Sequence, residues 1–427
     1  MIQTIRKAWK IPELRKKIIF TLLVLLIFRI GNAITVPYVN TDMLGSYLDT
    51  MGSTVLGLFN IMSGGAFAMA TVFALGVQPY INSSIIIQLL TVAIPALERM
   101  QHEEGEEGKK KIQSITRYAT IAIALLQAFG YYMILKNNGM LTVEGVWPGI
   151  VIIVSLVAGS SFVMWIGEQI NEFGIGNGIS MLLFAGILAR VPVGVSNLWA
   201  YIANVDLGWL WIALLLVGVL LLVVLIVAVS AAERRIPVQY AKRQVGRKSY
   251  GGQSSHLPMK VNMSGVLPVI FAQSIATMPA TVAAFLKTPA EGSFWAKVIG
   301  AIENTTVPYM IIYFLMIIAF SYFYATIQFN PVEIGNNLQK QGGFIPGFRP
   351  GKPTTEFIAN VLQKVTMFGA VYLGIVAICP LIASKLLKAS NLAIGGTSVI
   401  IVVGVALETV RALESQLSMR QYKGFLE

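Results

Sequence analysis

Charge is scarce in this sequence: only 12% of its 427 residues are Asp, Glu, Lys or Arg. A soluble domain carries about twice that share. Cysteine is nearly absent, with Cys379 standing alone. One thiol excludes an internal disulfide and a cysteine metal cluster. Histidine is scarce too. His102 and His256 lie far apart in polar connections, where a solvated loop residue is the ordinary reading. No G-x-x-x-x-G-K-S/T sequence occurs, so no P-loop supplies nucleotide energy, and any drive comes from a partner or the membrane potential. Low-complexity segments and long polar domains are missing as well.

What is present is apolar. Hydrophobic residues make up 56% of the chain, and the mean hydropathy is +0.71. They fall in runs of about 20, the length that crosses a bilayer's ~30 Å hydrocarbon core as helix. The chain therefore reads as a polytopic membrane protein. Its net charge of +12 is then a matter of placement rather than a nucleic-acid signature.

The start of the chain imitates a signal peptide. Arg6, Lys7, Lys10, Arg15, Lys16 and Lys17 precede an apolar run, but Arg29 and Asn32 follow and no A-x-A-type site appears. The expectation is a retained first span at 18–36, preceded by an amphipathic helix on the membrane surface.

The organising stretch is 63–90, SGGAFAMATVFALGVQPYINSSIIIQLL. Gly64 and Gly65 give a hinge, and an apolar helix is expected from about 70 to 94. That helix is oddly polar for one facing lipid, with Gln78, Asn82, Ser83, Ser84, Gln88 and Thr91. Such side chains cost free energy at membrane depth unless they face protein or water. Val77, Ile81, Ser84 and Gln88 share one helical face, apolar at one end and polar at the other. A shorter apolar run at 55–61 cannot span alone. Together they suggest a pore lining with a re-entrant element beside it, or else an ordinary loop helix at 55–61.

Further spans are expected at 115–135, 147–166, 179–199, 209–230, 266–286, 307–329, 365–387 and 397–413. With the first and the 70–94 helix this makes ten. With the amino end inside, inner segments hold 24 of the 32 Lys and Arg residues, and outer loops hold six: Lys136, Arg190, Lys287, Lys297, Lys385 and Lys388. Arg29 and Arg117 fall within spans. That bias fits the positive-inside rule and puts both termini in the cytoplasm. An odd number of spans per half permits inverted repeats, here 1–205 and 206–427, though the halves show no convincing identity. Two long inner loops, 231–265 and 330–364, are rich in Gly, Pro and cations, and the second holds Arg349 at a Gly-Phe-Arg-Pro-Gly turn. Defined loops of that length are usually functional. The run EEGEEGKKK at 103–111 reads as a solvated turn.

Six motifs carry a resemblance over essentially the whole chain. They are GVQPYINSSIIIQLL at 76–90, GIGNGIS at 174–180, YAKRQVGR at 240–247, LPMKVNMSGVLP at 257–268, GGFIPGFRPG at 342–351 and GGTS at 395–398. In order and spacing the chain resembles the bacterial SecY family, the channel subunits of the Sec protein translocase.

The resemblance implies an all-α hourglass of two inverted five-helix halves, ten transmembrane helices in all, with no cofactor, metal or catalytic residue. It implies a pore ring of Val77, Ile81, Ile179, Leu183, Ile270 and Ile401. It implies a plug helix at about 56–66, including Leu58, Phe59, Asn60, Ile61, Met62, Ser63, Gly64 and Gly65. A lateral gate would contain Asn82, Ser84, Ile85 and Gln88 opposite Gln273, Ser274 and Thr277. Lys242, Arg243, Arg247, Lys248 and Arg349 would dock the SecA ATPase or the ribosome. Expected partners are SecE, SecG, preprotein substrates and membrane lipids, with a membrane insertase and SecDF as further candidates.

Two other classes stay open on residues alone. A secondary transporter would share broken helices and inverted repeats, but no midplane Asp/Glu pair is evident. An intramembrane enzyme needs a nucleophile with its base, or metal ligands, inside the spans, and no span contains histidine.

Overall fold

A bilayer offers an apolar run no hydrogen-bond partners, so each run must satisfy its backbone within itself, as helix. A computed structural model describes residues 2–50, 55–102, 104–204, 208–240, 243–245, 248–250, 254–263, 265–285, 306–387 and 395–423. Its first half contains α1 (Ile2–Lys10), α2 (Pro12–Gly31), α3 (Thr41–Thr50), α4 (Val55–Met62), α5 (Gln78–Ala93), α6 (Pro95–His102), α7 (Gly105–Asn137), α8 (Val146–Phe173), α9 (Gly178–Ala189) and α10 (Val191–Asn204). The second contains α11 (Gly208–Ala231), α12 (Leu267–Phe285), α13 (Val307–Gln328), α14 (Pro331–Lys340), α15 (Lys352–Leu387) and α16 (Gly395–Lys423). Each of the ten expected spans overlaps a helix, although 32–36 and 70–77 lie outside one. Among the described residues, five helices are long and apolar enough to cross a membrane on their own, and a sixth is counted if α5 and α6 form one bent span.

The helix expected from residue 70 begins at Gln78 instead. Residues 70–77 are turns, with Ala70 at φ 43° and Gly76 at φ 54°. Left-handed residues cannot continue a right-handed helix. Pro79 sits in the first turn, where its missing N–H costs nothing. The helix has 16 residues, about 24 Å at ~1.5 Å per residue, short of a full crossing. It ends at Ile94, held extended before Pro95, and the chain turns by 105° into α6.

Two other expectations are corrected. The charged run at 103–111 is not a turn: from Gly105 onward it is the start of α7, and Lys111 reaches back to Glu104 at 2.8 Å. Nor are the two long loops without regular structure. Strand β1 (Glu233–Tyr240) pairs antiparallel with β4 (Ser254–Lys260), and its other edge takes β5 (Gly343–Phe344) from the second loop. A separate hairpin joins β2 (Arg243–Val245) to β3 (Lys248–Tyr250). The three-stranded sheet has its own core, in which Ile236, Val238 and Met259 meet Leu338, Ile345, Ile358 and Leu362. Alternation along β1 buries Ile236 and Val238 and exposes their neighbours, as a half-covered strand should. The chain is helical in the membrane and carries a small sheet on its loops.

One of the close contacts involves Gly159. A Cβ there would lie 1.9 Å from the Val72 carbonyl oxygen, so α8 presses directly on the backbone of the 70–77 turns. Gly159→Ala must push that backbone away. Overpacking of this kind costs roughly 1–3 kcal/mol. Thermal unfolding of the purified variant in detergent should show the loss, and an unchanged midpoint would mean that the segment yields freely.

Candidate functional site

Four helices bring the six expected ring residues together. Val77 caps α5 and Ile81 lies one turn in; Ile179 and Leu183 come from α9, Ile270 from α12 and Ile401 from α16. Val77, Ile81, Leu183, Ile270 and Ile401 are buried in one apolar cluster, and Ile179 packs against it. The cluster is larger than six residues: Phe28, Phe73, Phe271, Tyr313 and Phe320 extend it. Burial alone therefore does not single out a ring. The Asn177 side chain accepts from Ser180 N at 3.2 Å, capping α9 and setting the phase of Ile179 and Leu183.

Beside this cluster sits α4. Asn60, Met62 and Ser63 are buried, Phe59 and Ile61 are half-buried, and Leu58 lies within the helix. Gly65 N donates to Asn60 O at 2.7 Å, and Gly64 N donates to Ile61 O at 2.9 Å. With Gly64 at φ 71° this pairing is a Schellman cap, so the glycine pair terminates a helix where a hinge was expected. The following turns are tied down by side chains. Asn60 Oδ1 accepts from Ala68 N at 3.0 Å, Ser63 Oγ accepts from Phe67 N at 3.1 Å, and Tyr131 OH donates to Phe67 O at 2.8 Å. A cavity of about 20 Å³ remains between α4, the turns and Leu183.

The expected gate residues meet in a different pattern. Gln78 Nε2 donates to Ser274 Oγ at 3.4 Å, and Tyr324 OH donates to Gln88 Oε1. Thr277 Oγ1 donates to its own helix, at Gln273 O, 2.8 Å away. Ser84 and Asn82 are half-buried, and Ile85 is buried. Gln273 Oε1 is buried with no hydrogen-bond partner among the described residues. Sequence reasoning missed Gln78 and Tyr324 as the cross-helix partners. Gln78 carried a signal, being polar and next to a proline at a helix start. Tyr324 lay among many aromatics and carried none. Ser83 holds α5 to α7 through Thr120 Oγ1 at 2.5 Å and the Thr116 carbonyl at 3.3 Å.

On the loops, Arg349 is exposed at the tip of a turn bounded by Gly347 at φ 88° and Gly351 at φ 101°. Thr354 Oγ1 donates to Arg349 O at 2.8 Å, and Phe348 packs on Phe357 at 4.2 Å between ring centres. The Arg349 backbone is thus held in place, and the neighbouring Phe348 and Phe357 line a groove of about 340 Å³ that includes Glu356 and Lys364. Arg243 and Lys248 lie in the β2–β3 hairpin; Lys242 and Arg247 fall outside the described residues.

An apolar cluster drawn from four helices, a capped short helix beside it and helices long and apolar enough to cross a bilayer define the class: a polytopic helical membrane protein. The family model described as SecY matches residues 71–410. The protein translocase subunit SecY of Streptomyces scabiei is 43% identical over 100% of both chains, and that of Aquifex aeolicus is 39% identical over the same share. The chain belongs to the SecY family. Two solved structures share its fold. One describes the SecY plug domain as stabilising the closed state of the translocation channel (TM-score 0.68, 18% identity, 96% of each chain). The other is Sec61 in the canine ribosome-channel complex from the endoplasmic reticulum (TM-score 0.60, 17% identity, 96% of each chain).

The two glutamines at the contact of α5 with α12 and α13 should behave oppositely. Gln273→Leu removes a buried amide oxygen that has no partner among the described residues, so it should stabilise the observed arrangement by about 1–3 kcal/mol. Tyr324→Phe deprives Gln88 of its donor and should cost about 1 kcal/mol. Thermal unfolding midpoints in detergent check both, and shifts of the same sign would refute this pairing.

Proposed function

We propose that this SecY-family chain is a passive protein-conducting channel in the cell membrane, with both termini cytoplasmic. It passes unfolded, signal-bearing polypeptides across the membrane and releases apolar segments sideways into lipid. Its two halves, 1–205 and 206–427, part like a hinge, and SecE, with SecG, clamps them from outside.

The observation that carries this reading is the shared burial of Val77, Ile81, Leu183, Ile270 and Ile401, drawn from both halves, with Ile179 packed against them. A translocating chain needs a wet path for its backbone, while the idle membrane must not leak ions. Aliphatic side chains at a constriction exclude water and deform around any passing side chain without binding it. Helix α4 with residues 63–65 is the plug that blocks the outer funnel separately from this ring. The gate lies where α5 and α7 meet α12 and α13. Its polar pairs, Gln78–Ser274 and Gln88–Tyr324, make the closed contact weaker than an all-apolar one, so an apolar signal segment can replace it. Arg349 and the basic hairpin receive the SecA motor or the ribosome, because a guanidinium on a rigid tip suits bidentate contacts to carboxylate or phosphate.

Reconstitution tests the whole reading: vesicles containing the chain with SecE and SecG should pass a preprotein when SecA and ATP are added, and should not conduct ions at rest. Within that assay, Ile401→Asn puts an amide where water must be excluded and should weaken the dry seal by a few kcal/mol, on the order of the cost of burying an amide. Single-channel recording should show a resting leak, and weak signal sequences should pass more readily. Deleting residues 56–66 should add to the leak. A well-folded Ile401→Asn protein without leak would remove the ring.

Charge reversal at the tip is a separate test. Arg349→Glu should abolish motor-driven transport while insertion and SecE binding persist. Normal transport with SecA would reduce the loop to a topological role.

A further inference from the structure

Three helix carboxyl ends converge on the glycine pair. The first is that of α4 itself, closed at Gly64 and Gly65. The second is that of α2, whose cap residue Asn32 donates from Nδ2 to Ser63 O at 3.3 Å. The third is that of α9, where a Cβ on Gly186 would lie 2.6 Å from Met62 O. Carboxyl ends of helices carry partial negative charge, so three together repel one another. Two cations stand among them. Arg29 lies in the last turn of α2, and its Nη1 is 3.3 Å from where a Cβ of Gly64 would be. Arg190 caps α9, and its Nη1 is 3.3 Å from the Cβ position of Gly65. Each arginine therefore sits at the end of its own helix and also at the end of α4. The glycines leave room for both guanidiniums against the backbone.

We propose that Arg29 and Arg190 form an electrostatic latch: two positioning residues that hold α4 in its closed place by neutralising three convergent helix ends. The proposal rests on reading α4 as the plug. It explains why two outer-side arginines, neither needed for topology, stand one at each side of the glycine pair. It also gives the plug a hold that is strong enough for rest and weak enough for release. Charge at helix ends contributes modestly and is screened by water once the elements separate.

The test uses the full chain in vesicles with Cys379→Ser, leaving no native thiol, and Phe59→Cys as reporter on α4. A charged, membrane-impermeant maleimide is added from the outer side. Arg29→Gln and Arg190→Gln should each speed labelling about fivefold, the scale of a cation at a helix end, and the double variant more. Lysine at either position should restore slow labelling in part, and Arg190→Glu should exceed Arg190→Gln. That order, Arg, Lys, Gln, Glu, tracks charge, and a merely structural role would not produce it. Equal labelling across the series, in proteins with unchanged unfolding midpoints, overturns the latch. So does fast labelling in the lysine variants equal to that in the glutamine ones. Failure of the plug reading looks different: deletion of residues 56–66 would then leave resting conductance unchanged, whatever the arginine variants do.

Discussion

Backbone amides and carbonyls that lack a helical partner are the constraint on which this structure depends. Lipid cannot satisfy them, so irregular chain at membrane depth must be wrapped in protein. Residues 63–77 are such a chain, a run of turns in the middle of a helical protein. Their polar groups find partners on every side. Val36 N donates to Ala70 O at 2.8 Å, and Val72 N donates to Ile34 O at 2.9 Å, splicing the segment to the end of α2. Thr71 N turns inward to Ala66 O at 3.1 Å. Tyr131 from α7 and Ser160 from α8 take the Phe67 and Gly76 carbonyls. The placement of α2, α7 and α8 follows from having to supply these partners. So does the need for glycine at 159, where no side chain can intervene.

The packing of α12, α13 and α15 is balanced differently. Apolar burial favours it, with aromatic rings of α12 and α13 packed edge to face, as Phe271 and Phe320 are at 6.2 Å. Against that stand buried polar atoms without partners among the described residues: Gln273 Oε1, Tyr313 OH, Ser321 Oγ and Tyr372 OH. Each such group costs about 1–3 kcal/mol. All four lie on α12, α13 and α15, in the half opposite α5. Packing that keeps unsatisfied polar atoms is less stable than a fully apolar contact of the same shape would be.

Much of this was legible in the sequence, and the limits have physical causes. Hydropathy located all ten helical segments because lipid leaves an apolar run one solution. It could not locate the start of α5. The left-handed Ala70 obeys no residue preference, and tertiary hydrogen bonds such as Val36 N to Ala70 O hold it there. The third strand was missed because β5 has two residues and pairs with β1 across roughly a hundred residues of sequence, too short and too distant for a local pattern to announce it. The motif Gly-Phe-Arg-Pro-Gly did announce an exposed arginine. The six ring positions came from the family pattern, and burial agrees with them without being specific to them. Arg29 was visible as a charge within the first span and Arg190 as one on the outer side. Their meeting at the glycine pair depends on three helix ends converging, which no one-dimensional pattern encodes.

The two ends of the molecule are joined by one element. Helix α15 runs 36 residues, about 54 Å at ~1.5 Å per residue. Its first turns hold the Arg349 carbonyl through Thr354 and enter the core of the sheet through Ile358 and Leu362. Four turns later Tyr372, Leu373, Val376 and Ala377 enter the waist cluster. Close packing fixes it against α13: a Cβ on Gly374 would lie 2.4 Å from the Phe314 ring. A load on the Arg349 turn therefore meets no slack loop before it reaches the waist. The sheet joins β1 and β4 to the same body through β5. A close-packed body transmits displacement instead of absorbing it, so a displacement at the Arg349 turn is carried along α15 to the apolar cluster.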